Sequence, residues 1–121
     1  MINYSQISDD SYQLLNTYVL KTHIFPKQEI EVDYATLKTD GRLFIRKGFA
    51  WDGDTWAWNF KCSRRASLVH DVFCIMVGEG LLSDDWMDEI NDLYMDICIK
   101  DGMWKFWAKV RRRALRRYWG V

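Results

Sequence analysis

A change of hydrophobic period near Trp58 constrains this 121-residue chain more than any other feature. Before it, from Tyr12 to about Asp52, β-branched and aromatic residues are frequent and Ile30-Glu31-Val32-Asp33-Tyr34 alternates, as a half-buried strand does. Asp40-Gly41 lies between ATLKT and RLFIRKGF, where glycine supplies the positive φ of a tight hairpin. The only proline, Pro26, reads as a connection before the second candidate strand. After Trp58 the spacing becomes helical in three segments, roughly Ser63 to Val77, Ser83 to Lys100 and Met103 to Trp119. The expected fold is α+β: a small N-terminal antiparallel sheet packed on a C-terminal three-helix region containing an antiparallel helical hairpin. It forms one domain over 1–121, with 1–58 mainly strands and loops and 59–121 mainly helical.

A chain of this length with 49% apolar residues can bury one proper core. Seventeen basic residues balance seventeen acidic ones, so nucleic acid or membrane would have to be met by a local patch. Cys62, Cys74 and Cys98 are odd in number and widely spaced, which argues against a disulfide framework and for a reducing compartment. The opening MINYSQISDD is polar and acidic where a secretory signal would be basic and then apolar. No apolar run approaches the ~20 residues that cross a bilayer. The expectation is an intracellular protein that does not span a membrane.

In the first helix Leu68, Val69, Val72, Ile75 and Met76 share a face and leave Ser67, His70, Asp71 and Cys74 on the other side. Gly78 and Gly80 end it, and Ser83 followed by Asp84 and Asp85 caps the next. In the antiparallel hairpin that follows, His70 is level with Ile90 to Asp92. Trp86, Ile90, Leu93 and Ile97 form the second helix's apolar stripe, with Asn91 at its edge and Asp88 and Asp92 outward. Asn91 is then the polar group expected to approach His70.

Asp52 of the WDGDT loop, His70 and Asp71 are the candidate catalytic set. Histidine serves as a general base near neutral pH, and a carboxylate can orient its ring or hold a hard cation. No cofactor is firmly indicated; the one these residues allow is a divalent cation on Asp52 and Asp71. The alternative reading is structural: His70 hydrogen-bonds a loop carbonyl, Asp71 pairs with an arginine such as Arg65, and Asp52 closes a turn. Cys74, one turn after His70, is either a thiolate nucleophile or a buried small hydrophobe.

GFAWDGDT, SRRASLVHD and the distal KDGMW together resemble the bacteriophage and prophage domain-of-unknown-function family numbered 1353. Trp51, Asp52, Gly53, Arg65, Ser67, His70, Asp71, Asp101, Gly102 and Met103 fall on its motifs, over roughly the last two thirds of the chain. Thr55 stands where the family has serine. The resemblance implies a site at Asp52, His70 and Asp71, with Trp51, Thr55, Arg65, Ser67 and Asn91 as binding residues. It also implies a phage or host protein as partner, in the host cytoplasm or the virion. Trp56-Ala57-Trp58 replaces the usual Gly-Pro or Val-Pro, Phe73-Cys74 replaces Leu-Tyr, and Asn91 replaces an aspartate. There is a looser likeness to the His-Asp core of phospholipases of the A2 type, with Cys74 and Asn91 at the tyrosine and second-aspartate positions.

The C-terminal helix MWKFWAKVRRRALRRYWGV places Trp104, Trp107, Val110, Ala114 or Leu115, and Tyr118 near one face, with Lys105, Lys109, Arg112, Arg113, Arg116 and Arg117 around the rest. Such a basic aromatic helix suits an anionic surface, nucleic acid or an acidic protein. Alternatively, it is neutralised by Asp84, Asp85, Asp88, Glu89, Asp92 and Asp96 of the preceding helix. Three functions follow: a phage accessory protein with a hydrolase-like His-Asp site, a virion or tail-associated interaction protein, or an inhibitor binding a host protein or defence nucleotide through Arg65, Trp56 and the basic helix.

Overall fold

The computed structural model describes residues 2–9, 11–53 and 61–118, with side chains in the last helix described as far as Leu115. Seven short strands come first: β1 Tyr4–Gln6, β2 Ser11–Leu14, β3 Tyr18–Lys21, β4 Ile30–Val32, β5 Ala35–Leu37, β6 Arg42–Ile45 and β7 Ala50–Asp52. Three helices follow: α1 Arg64–Gly78, α2 Met87–Lys100 and α3 Lys105–Tyr118. The α+β class and the helical half are as the periodicity predicts.

The single sheet expected from the sequence is instead two antiparallel sheets, one ordered β1-β2-β7 and the other β3-β6-β5-β4. The division arises because β7 returns past β6 to pair with β2, in the register Ser11↔Asp52, Tyr12↔Trp51 and Gln13↔Ala50. β1, in a segment too polar to read as a strand, adds to the outer side of β2. The alternating run Ile30 to Tyr34 is also not one strand. It breaks at Asp33-Tyr34, where Tyr34 takes a φ of 68° and the chain doubles back so that Val32 faces Ala35. Asp33 is a common turn residue but Tyr34, which takes the positive φ, is not, so the alternation masks a weak turn signal.

The predicted Asp40-Gly41 hairpin is present. Gly41 has a φ of 91°, and its carbonyl accepts both the amide and the hydroxyl of Thr22, at 2.9 and 2.8 Å. The glycine thus serves a left-handed turn and a close approach of two backbones at once.

α1 packs against β7 and β4 on one side and α2 on the other, while α3 lies on α2. Buried residues from β2, the four-stranded sheet and all three helices form one cluster, with Tyr12, Leu37, Leu68, Phe73 and Tyr94 among its fully buried members. Burying each such large side chain contributes about 1.5–3 kcal/mol. α1 ends as read: Gly80, at φ 75°, lets the chain turn while the Gly80 and Leu81 amides bond the Val77 and Met76 carbonyls. Ser83 accepts from the Asp85 amide at 3.1 Å, but it caps a 3-10 turn, Asp84–Trp86, that precedes α2.

Replacing Gly41 by alanine brings a Cβ against the Thr22 carbonyl oxygen in a backbone conformation that L-residues rarely adopt. Chemical denaturation is expected to show Gly41→Ala less stable by roughly 1–3 kcal/mol. Unchanged stability would mean the turn has another conformation.

Candidate functional site

α1 presents polar groups where a helix between two layers normally presents apolar ones. Every residue from Ala66 to His70 is buried, so Ser67 and His70 do not lie on an open polar face as their spacing predicts. Ile75, expected in the core stripe, is instead exposed, and Phe73 is fully buried. Both long faces of α1 are covered, and a single amphipathic stripe therefore misplaces its residues.

His70 retains only 4% of its accessible surface and sits at the α1–α2 seam. Its Nε2 lies 2.9 Å from Asn91 Oδ1, and Nδ1 lies 3.5 Å from Cys74 Sγ. An amide oxygen only accepts, so Nε2 carries the proton and donates it to Asn91. Nδ1 is then the acceptor, which suits a protonated thiol. Burial pushes the Cys74 thiol up to about 12, and the nearby Asp71 carboxylate adds to the effect. The three groups fit one neutral arrangement, Cys74 S–H to His70 to Asn91, and Cys74 is the opposite of an activated thiolate. The Tyr94 ring stands edge-on to the imidazole at 5.6 Å.

The predicted approach of Asn91 to His70 is thus present, although Asn91 is completely buried instead of lying at the stripe's edge. Met87, Ile90, Tyr94, Ile97 and Cys98 are the buried residues around it, while Trp86 and Leu93 are only partly covered. Asn91 Nδ2 has no hydrogen-bond partner among the described residues.

Asp52 and Asp71 are brought together without His70. Both line an open cleft of about 490 Å³ between the three-stranded sheet and α1, with Ser11, Cys74 and Ile75. Ser11 Oγ donates to Asp52 Oδ1 at 2.7 Å across the β2–β7 ladder, a partner that the sequence offered no signal for. Cys74 lines the cleft and also touches His70. Among the described residues, no group of three His, Cys, Asp or Glu is arranged to hold a metal ion.

The remaining motif residues act as ties. Trp51 Nε1 donates to Ser67 Oγ at 3.2 Å, and Ser67 Oγ donates to the Arg64 carbonyl at 2.9 Å, fixing β7 to the start of α1. Arg65 does not pair with Asp71. It grips Asp101 through Nε and Nη2, each at 2.9 Å, and donates from Nη1 to the Tyr18 hydroxyl at 2.8 Å. The Asp101 carboxylate, foremost, holds this guanidinium above the usual arginine range. Gly102 has a φ of 107° and Met103 is buried, so the Asp-Gly-Met run ends α2 and enters the core. Thr55, Trp56 and the rest of 54–60 lie outside the described residues. A cluster that the sequence reading missed is Arg64 stacked over the Tyr12 ring at 4.7 Å while bonding the Tyr4 hydroxyl at 3.0 Å.

The buried positions of α3 are Ala108, Arg111 and Leu115, so of the residues grouped near one face Leu115 is buried while Trp107 and Val110 face solvent, as do Phe106 and, just before the helix, Trp104. Arg111 takes an inward place because its Nη1 reaches the Tyr94 hydroxyl at 3.2 Å. Of the expected charge pairing between α2 and α3, Arg112 supplies the described part, at 2.5 Å from Asp92 and 3.6 Å from Asp88. Among the described residues no helix is long and apolar enough to cross a membrane.

No family model, no curated protein and no solved structure matches this chain. The likeness to the phage family therefore rests on the motifs themselves.

Two measurements test this arrangement. Asn91→Ala leaves the buried His70 Nε2–H without its acceptor and is expected to lower unfolding stability by roughly 1–3 kcal/mol; a neutral result would remove Asn91 from the network. The Cys74 thiol titrates from an ordinary 9.0 in the unfolded chain to about 12 in the folded one. The folded state keeps this proton longer, so its contribution is complete below about pH 9 and is lost as pH rises towards about 12. Wild type should lose stability more steeply than Cys74→Ala across that interval.

Proposed function

We propose that the chain is a small bacteriophage-encoded accessory protein that acts by binding a protein partner through the exposed aromatic face of α3. In this reading His70 braces the fold and does not move protons in a reaction. The observation that carries it is the contrast between the two candidate regions. His70 is 4% exposed with both ring nitrogens engaged inside the protein, while Trp104 and Phe106 are 77% and 67% exposed. A general base must reach a substrate proton, directly or through one water. Large aromatics left in solvent, by contrast, are the usual anchors of protein contacts. Phe106 and Trp107 pack edge to face at 5.4 Å, which presents them as one block. The partner in this reading is a phage or host protein, met in the host cytoplasm or during virion assembly.

The shared cleft favours one second reading. Asp52 and Asp71 both open onto it, so a hydrolase-like activity would use these two carboxylates, with a divalent cation between them and His70 behind Cys74. The inhibitor reading loses Arg65 as a contact, since all three Arg65 nitrogens are committed to Asp101 and Tyr18.

A photoreactive side chain in place of Phe106, in the full chain expressed during infection, is expected to give a discrete cross-link to a protein. Trp104→Ala and Trp107→Ala together should abolish that product while changing stability by no more than about 0.5 kcal/mol. An absent cross-link, together with a metal-dependent hydrolysis lost in Asp52→Asn, would replace this reading with the second.

A further inference from the structure

The chain is neutral only as a sum. Asp84 to Asp96 carries six acids and no base, and the stretch after Asp101 carries seven bases and no acid. These runs lie on neighbouring helices, and among the described residues the ion pairs between them are those of Arg112. Arg112 reaches Asp92 and Asp88, and Arg111 turns inward to Tyr94. Lys105, Lys109 and Arg113 stay exposed, with no acidic partner among the described residues.

The exposed charges form two matching ridges, in which, among the described residues, Asp92 alone already has a partner, Arg112. On α3, Lys105, Lys109 and Arg113 recur every fourth residue, spanning ~12 Å at the helical rise, with Phe106 and Val110 beside them. On α2, Glu89, Asp92 and Asp96 follow one another over ~10 Å. They line a groove of about 250 Å³ that also contains Leu93 and Ile24. One surface is basic with an apolar flank, and the other is acidic with an apolar floor.

We propose that the occupant of the acidic groove on α2 is the basic, aromatic face of α3 from a second copy of this chain. This rests on the reading of α3 as an interaction surface and names its partner. Ridge and groove are different surfaces, so two copies either dock reciprocally, each ridge in the other's groove, as a two-fold dimer, or dock head to tail, which continues into a ring or a filament. A nucleic acid or anionic membrane fits less well. Either is broad enough that, once over α3, it also meets the uncompensated acids of the adjacent α2.

Sedimentation velocity of the full chain over a wide concentration series tests this. At low salt the sedimentation coefficient is expected to rise with concentration, and in 1 M salt, where screening acts within about 3 Å, it should return to the monomer value. Lys105→Glu with Lys109→Glu and Arg113→Glu should stay monomeric, as should Glu89→Lys with Asp96→Lys, each with a native circular dichroism spectrum. Mixed in equal amounts, the two variants should associate, since each acid surface then meets a basic one. A wild type that is monomeric at every concentration overturns the proposal whatever the variants do, as does association that both variants retain. A monomer that instead sediments with phosphatidylserine vesicles through Lys105, Lys109 and Arg113 assigns the face to anionic lipid. A monomer that still cross-links another protein through position 106 ends self-association while leaving the interaction reading intact; a monomer with no cross-link ends both.

Discussion

The structure depends on α1 being covered on both sides. A helix that meets sheet on one flank and another helix on the other keeps only a narrow solvent strip, here at Asp71 and Ile75, so the polar side chains buried at its two seams call for internal partners. Ser67 is held between Trp51 and the Arg64 carbonyl, and His70 between Asn91 and Cys74. In a surroundings of low polarity such bonds strengthen, and losing one partner leaves the other exposed to the full desolvation cost. The network therefore specifies how β7, α1 and α2 fit together. Hydrophobic burial stabilises their association, but an apolar seam would permit several registers of α2 along α1, and the His70–Asn91 bond allows one.

The same logic explains why a cluster of motifs can look catalytic and serve architecture. Trp51 ties β7 to α1, His70 ties the middle of α1 to the middle of α2, and Arg65 ties the start of α1 to the end of α2 and to β3. These residue types recur in active sites because they form directional bonds, which is also what a brace requires. What separates the roles is access: Asp52 and Asp71 retain it at the cleft, and His70 does not.

Much of this was legible beforehand where a local rule applied. Asp40-Gly41 marks its hairpin because glycine alone suits the positive φ, and equal distances from the α1–α2 turn place Asn91 beside His70. The reading failed where tertiary contact overrode the local rule. Periodicity assumes one buried face, so it exposed Ser67 and His70 and buried Ile75. Tyr34 takes the positive φ of a turn in which Asp33 is the only usual turn residue. Ser11 became a neighbour of Asp52 only through a register with a strand about forty residues away.

α3 is the sharpest case. The sequence groups its aromatics near one face without deciding which way that face turns, and the helix rests on α2 through Ala108, Arg111 and Leu115. A small residue at 108 permits close approach, and Tyr94 gives the Arg111 guanidinium an acceptor that makes its burial tolerable. Once those two conditions set the rotation, Phe106 and Val110 must face solvent, because they lie about half a turn from the buried line. The exposed aromatic surface is thus a consequence of how α3 is anchored. Arg112 pairs with Asp92 and Asp88 and helps fix the position of α3 along α2, while Lys105, Lys109 and Arg113 stay exposed with no acidic partner among the described residues.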